Sequence, residues 1–413
     1  MAQQDNKNRV RAEVKFPLIL VHTPFGLNFF EKVANTRAAR VYAKFNIYLM
    51  PIITALAIFL IVGSLIALFS NSTVRAGVRE IGPQSNLLIP GLNPYLPWTY
   101  GWIALVVTII IHEAGHGIVA RVHNIKIEST GIVLILGFPI GAFVNIAQEE
   151  LSRTPLKQKS AILTAGPLNN MVIAVVSLVA LFFVTSTLTP ISTNIIHQSG
   201  VVVVGVGDHT LAGSIGLSKG SVIETVAGQK VHSTDDLGKF LRSNLGKTVS
   251  ISWKDKAGHQ IIRSVPIPQF VEAGRGILGI TITDVAPDPT QVLSRYKNAF
   301  SSNPIALLLP PTMAQGSVPY SDLMAHEYHS NVLGSAFPLV ANMLFWLWFI
   351  NFNVGIFNAL PIGPLDGGQF YKSLIENRIR SRPSTLKNAP TLVTLVMTVI
   401  VVMAVLLPWL WPH

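Results

Sequence analysis

Trp98–Ala120 reads WTYGWIALVVTIIIHEAGHGIVA, and the fold turns on how this stretch is read. About twenty apolar residues are the length of a helix that crosses a bilayer. Yet His112, Glu113 and His116 lie inside it. Ionisable side chains at membrane depth are costly unless something pairs with them, so they mark function. The spacing is H-E-x-x-H. Positions four apart share a helix face, so both imidazoles can bind one zinc ion. Glu113 then lies beside the metal, free to act as a base on water.

The composition agrees with a membrane setting. Of 413 residues half are hydrophobic, only 12% are charged, and the mean hydropathy is +0.48. A soluble globular chain is nearer a quarter charged, so the reading is an integral membrane protein with a polar part attached. There is no cysteine. Disulfides and thiolate chemistry are excluded, and any zinc is held by His, Asp or Glu. The net charge of +11 does not call for nucleic acid, because Lys and Arg flank spans on the cytoplasmic side. No cleavable signal peptide is expected: the polar first 45 residues hold no short apolar core followed by an A-x-A site.

Outward from the HEAGH stretch, the chain divides by composition. Residues 1–45 form a basic leader with Lys7, Arg9, Arg11, Lys15, Lys32, Arg37, Arg40 and Lys44, which predicts a cytoplasmic N-terminus. Within it Phe16–Phe30 is apolar but too short and turn-interrupted to span. It either lies as a linker at the interface or adds a strand to a sheet. Residues 46–69 are the first span, and 70–97 an external loop rich in Pro, Gly and Asn. Residues 125–147 have β-branched runs broken by Gly131, Gly137, Pro139 and Gly141, as a hairpin or small sheet does. With almost no charge, this sheet is expected to re-enter the cytoplasmic leaflet, shielded by protein. A third span covers 161–188 and opens with AGPLNN, which puts Asn169 and Asn170 in the membrane; amides there commonly tie helices together.

Residues 200–285 are soluble in composition, with strands VVVVGV, TVSISWKD and QIIRSVPI, a helix near Asp235–Asn244 and Gly-bounded turns in LAGSIGLSKGSVIETVAGQKV. This block resembles a PDZ domain, which implies binding of extended peptide or protein tails at a sheet edge; by the topology count it is extracytoplasmic. Residues 286–335 are a connector. Its His326, Glu327 and His329 imitate a second metal site but lack an apolar frame, and are read as a solvated connector helix. Another span starts at Ala336 and runs into NALPIGPLDGGQF, where Pro and Gly break the helix around Asp366. Basic residues follow at Lys372, Arg378, Arg380, Arg382 and Lys387, and 392–411 is the final span. The count is about five spans.

Two distant motifs then share a depth. His116 precedes Arg121 by five positions and Asp366 precedes Lys372 by six. At 1.5 Å rise both lie roughly 8 Å from the cytoplasmic boundary if helical. Asp366 is thereby available as third ligand, leaving the fourth position of a catalytic zinc open. Other third ligands fit less well. Val122 stands where the metzincin pattern wants histidine.

HEAGH in a membrane helix, AGPLNN and FNALPIGPLDGG together resemble the site-2 protease family of intramembrane zinc metalloproteases, peptidase family M50, over about residues 98–376. That resemblance implies a protease core in two parts, 98–190 and 336–376, around the inserted PDZ-like domain. It implies one zinc per chain on His112, His116 and Asp366, with Glu113 as catalytic acid/base. It also implies that Asn170 and Asn358 position substrate or stabilise the oxyanion, and that Gly141, Ala142, Phe143 and Val144 are the edge strand that receives substrate. The expected activity is peptide hydrolysis within or near transmembrane helices of single-span, membrane-anchored proteins, as in regulated intramembrane proteolysis, with the enzyme in the cell membrane. The alternatives are a non-proteolytic PDZ membrane scaffold and a membrane zinc protease acting on non-membrane segments.

Overall fold

A computed structural model describes residues 10–135, 138–191, 200–207, 210–255, 258–270, 276–284, 289–302, 307–379 and 388–411. They form two compact units, one of residues 1–184 with 336–413 and one of 185–335.

The first unit begins with strands β1 (Arg11–Lys15) and β2 (Leu18–Thr23), then helices α1 (Leu27–Ala34) and α2 (Arg37–Phe45). Thr36 caps α2 by accepting the Ala39 amide at 3.1 Å. The leader is therefore folded from residue 10 onward. Of the two readings of Phe16–Phe30, the strand holds for Leu18–Thr23, and the rest turns into α1. Next come α3 (Met50–Ser70) and α4 (Ser72–Ile81). The latter corrects the expectation of a bare loop at 70–97. Arg75 closes the joint by donating to the Leu68 and Phe69 carbonyls at 2.7 and 3.1 Å, groups that the end of α3 leaves unpaired.

Helix α5 (Trp98–Val122) ends where Asn124 takes a left-handed conformation, φ 60°, and the Ile125 amide returns to the Ala120 carbonyl at 2.9 Å. The chain then enters β3 (Ile127–Ile135) and β4 (Phe138–Ile146), the hairpin expected over 125–147. The four strands make one antiparallel sheet in the order β1-β2-β3-β4, with Thr130 opposite Val144 and Ile132 opposite Ala142. β4 is thus an edge strand. After α6 (Gln148–Arg153), α7 (Leu156–Ser186) starts before the expected 161.

The second unit contains β5 (Leu188–Pro190), β6 (Val201–Val206), α8 (Leu211–Ser214), β7 (Val222–Val226), β8 (Gln229–Lys230), α9 (Thr234–Ser243), β9 (Thr248–Lys254), β10 (Gln260–Pro266), β11 (Ile280–Asp284), α10 (Pro289–Ser302) and β12 (Tyr328–Ser330). Its main sheet runs β10-β9-β7-β6-β11, with β8 beside β7. Alternate residues such as Val201, Val203, Ile251 and Trp253 bury into one core with Leu237 and Leu241 of α9. The expected strands and helix are present; β11 is an edge strand that the sequence reading did not foresee.

Two expectations for 286–335 are corrected. The segment's described residues, 289–302 and 307–335, include packed structure, with the Tyr296 and Tyr320 hydroxyls 3.0 Å apart in the interior and the Tyr328 hydroxyl donating to the Pro289 carbonyl at 2.8 Å. Nor is HEYH a helix. Ala325–Glu327 is a single 3-10 turn and Tyr328–Ser330 pairs with β5, because period-two burial of Tyr328 and Ser330 fits a strand.

The chain returns to the first unit with α11 (Phe337–Asn358), α12 (Asp366–Ile379) and α13 (Ala389–Leu410). Among the described residues five helices, within Met50–Ser70, Trp98–Val122, Leu156–Ser186, Gly334–Asn358 and Ala389–Leu410, are long and apolar enough to cross a membrane. They match the expected spans. Buried residues of α3, α7, α11 and α12, among them Met50, Leu163, Ile356 and Phe370, form one core cluster. A second joins α2, α5 and α7 through Ala43, Val119, Ala120, Ile162 and Ala165.

Candidate metal centre

Helix α5 presents His112 and His116 one turn apart, both buried, with Nε2 atoms 3.2 Å apart. Asp366 reaches them from a distance of more than two hundred residues along the chain. Its Oδ2 lies 3.0 Å from His112 Nε2 and 3.3 Å from His116 Nε2. The three are the group of metal-binding type found among the described residues.

Asp366 does not sit on a span. α11 stops at Asn358, and the carboxylate opens α12 after a tight loop. That loop is fixed from both sides: Thr54 of α3 donates to the Ala359 carbonyl at 2.8 Å, and Thr394 of α13 accepts the Gly363 amide at 3.1 Å. Gly367 and Gly368 are needed for close approach, since a Cβ at either would overlap the Ala359 or Ile362 carbonyl.

The donor atoms fit a metal. Tetrahedral zinc with bonds of about 2.0–2.1 Å separates its ligands by about 3.3 Å, close to the 3.0–3.3 Å observed. The tautomers agree as well. His116 Nδ1 lies 2.7 Å from the Ile162 carbonyl, which can only accept, so Nδ1 carries the proton and Nε2 presents a lone pair. His112 Nδ1 lies 3.0 Å from Asn170 Nδ2, while Oδ1 of this fully buried amide has no partner among the described residues; turning the amide by 180° exchanges the two atoms. When that amide presents oxygen, His112 too keeps Nε2 free. Two lone pairs and a carboxylate at this separation repel unless a cation joins them. Gly166 completes the cradle: a Cβ there would fall 2.6 Å from His112 Nε2 and closer still to His116 Nε2. The space a methyl would fill is the space an ion needs.

Around this centre α7 is drawn close to α5 at Gly115, where a Cβ would stand 2.6 Å from the Ala165 carbonyl. Asn169 donates to the Ile111 carbonyl at 3.2 Å and accepts from the Tyr42 hydroxyl at 2.7 Å. Burial pushes the Tyr42 phenol up, so it remains a neutral donor. Asn169 thus ties helices, the role expected of an amide in a span, while its neighbour Asn170 faces His112.

Glu113 sits beside the trio and accepts the Val144 amide at 3.0 Å. Gly141–Val144 lie on β4, the sheet edge, so the edge strand and the glutamate meet. Asn358 is at the end of α11 and donates to the Val354 carbonyl at 3.1 Å; it makes no described bond to the trio. Sequence reasoning overlooked the Ile162 carbonyl, Gly166, Tyr42, and Thr54 and Thr394, which pin the loop from α3 and α13. Gly166 lay inside the quoted AGPLNN motif, but the others have no local signal.

Comparison with known proteins agrees with this geometry. The family model described as Peptidase family M50 matches residues 100–404. An uncharacterized protein of Methanocaldococcus jannaschii is 26% identical over 362 residues, covering 86% of this chain and 77% of its own. A Clostridium perfringens protein named "Putative zinc metalloprotease" is 26% identical over 68% of this chain and 88% of its own. One of Clostridium acetobutylicum with the same description is 23% identical over 66% of this chain and 85% of its own. With five apolar helices of spanning length, a His-His-Asp donor set and a family match over most of its length, this multi-pass membrane protein belongs to peptidase family M50 and is a metallopeptidase.

Proposed function

We propose that the chain is an intramembrane zinc protease that cleaves peptide bonds within or near the membrane helices of single-span, membrane-anchored substrates. One observation supports this above the others: His112, His116 and Asp366 bring three ligand atoms to within 3.0–3.3 Å of one another on a helix of spanning length. When bound, zinc supplies Lewis acidity, lowering the pKa of water to about 7 and polarising the scissile carbonyl.

The chain's own groups do the rest. Glu113 accepts a proton from the attacking water and delivers it to the leaving amine as the C–N bond breaks. Ile162 and Asn170 hold the two imidazoles in the ligand tautomer. On this reading Asn170 acts through His112, and Asn358 is the amide left for the oxyanion, once it releases the Val354 carbonyl. A membrane helix hides its carbonyls in its own hydrogen bonds, so the substrate must unwind locally. The β4 edge at Gly141–Val144 receives the unwound segment as an added strand. This edge belongs to the sheet that we place re-entering the cytoplasmic leaflet, with the N-terminus cytoplasmic.

The second unit we place outside the membrane as a PDZ-type filter for peptide or protein tails. Its α9 and β11 flank a cavity of about 490 Å³ that also takes in Gly276–Gly279. On this reading the tail adds beside β11, the end strand of the sheet, with its carboxylate at this cavity. Deleting 200–285 is expected to raise cleavage of full-length substrates; unchanged selectivity would remove the filter.

The direct test is purified, zinc-loaded protein with a model single-span substrate. Cleavage by the native chain and none by Glu113→Gln, with zinc retained in both, is the expected result. Equal cleavage by both would overturn the reading.

A further inference from the structure

The leader, which the sequence left without a role, builds one wall of a cavity at Glu113. The cavity measures about 640 Å³, within the range of about 300–1,000 Å³ for ligand pockets. Phe25, Phe29 and Phe30 of the leader line it together with Ile110, Ile132, Phe143 and Glu113. We infer that it is a specificity subsite that receives one large apolar side chain, aromatic or branched aliphatic, from the unwound substrate next to the bond cleaved. The inference rests on the proteolytic reading above and names what that site selects.

Three features support this occupant. First, the cavity is continuous with the chemistry, because Glu113 lines it and is held by the Val144 amide. That amide points away from β3, so at a period of two Ala142 also turns its backbone to the free edge. A segment paired with Ala142, itself a lining residue, passes the mouth of the cavity on its way to Glu113. Second, the wall is built, not loose. Phe30 packs on Gly117, where a Cβ would stand 3.2 Å from its ring. Arg121 Nε binds Glu31 at 2.7 Å, and Thr130 donates to the Phe25 carbonyl at 2.7 Å. Third, a neighbouring cavity that shares Ile110, Ile132 and Ala142 holds only about 60 Å³. The surface thus separates a position with room for a large side chain from one with room for a small one.

The test uses the full-length zinc-loaded protein and a single-span substrate in which one Phe replaces Ala at successive positions of the unwound segment. At one position, kcat/KM is expected to rise about tenfold or more, the discrimination that apolar pockets achieve. Ile110→Trp fills the cavity from α5, outside the HEAGH motif, and is expected to abolish that gain while the all-Ala substrate is still cut. Phe29→Ala serves as the second variant, since Phe29 is 56% exposed and its loss leaves the fold intact; it is expected to reduce the gain without abolishing cleavage. No sensitive position, or a gain unchanged in both variants, would overturn the subsite while leaving the protease standing, as would a cavity occupied by a lipid chain that leaves the profile flat. No cleavage of any substrate by the native chain would overturn both readings.

Discussion

Two regions of this chain carry His-Glu followed by His, HEAGH at 112–116 and HEYH at 326–329, and among the described residues only the first gathers three donor atoms of metal-binding type. In the first, α5 sets the histidines one turn apart on a buried face, and a carboxylate from α12 meets both. In the second, a 3-10 turn passes into a strand. His326 then pairs with its own neighbour, Glu327, at 2.9 Å, and His329 points outward opposite Thr189. Residue types are not a site. A site needs a frame that fixes their direction and a third group arriving from elsewhere.

The comparison is broken most severely at the base. Glu113→Gln should cost on the order of 10²–10⁴-fold in turnover while zinc content stays at one per chain. The matched Glu327→Gln should leave turnover unchanged in the same assay. His112→Ala or Asp366→Ala should remove both zinc and activity, whereas His326→Ala leaves zinc content as it was, measured by elemental analysis of the purified protein. If Asp366→Ala kept its zinc, another residue would be the third ligand.

Gly166→Ala sharpens the comparison without replacing His112, His116 or Asp366. Its methyl would lie 2.6 Å from His112 Nε2, so zinc should be lost from a protein that still folds, as judged by circular dichroism. A smaller effect is expected at Asn170. Asn170→Ala frees the His112 tautomer and should weaken zinc affinity about 10–100-fold, read by competition with a chelator, while Asn170→Asp, which keeps an acceptor, should restore part of it. The smallest effect belongs to the exposed face of the leader. Glu31→Ala breaks the ion pair with Arg121, and such half-exposed pairs contribute about 0–1 kcal/mol, so a melting shift of a few degrees at most is expected.

Much of this was legible because it depends on periodicity. Apolar length marked five spans, HExxH spacing put two imidazoles on one face, and alternation marked the hairpin and the strands of the second unit. The depth argument for Asp366 points to the residue that the structure brings to the two imidazoles, on a partly wrong premise: the residue does not continue a span but starts a helix after a loop pinned by Thr54 and Thr394. Asn169 and Asn170 show the limit of local reading. Adjacent and identical in type, they project in different directions from α7, one to Tyr42 and the Ile111 carbonyl, the other to His112.

The amino-acid sequence by itself determined the five long apolar helices, the hairpin, the alternating strands β6, β9 and β10, and which side chains can bind a metal, since all follow from spacing within a few residues. Tertiary structure alone decided that the leader folds onto α5, that the Ile162 carbonyl fixes a tautomer, that Gly166 leaves room for an ion, and that β4 ends beside Glu113. These are contacts between segments far apart in the chain, and their geometry exists only once the helices have packed.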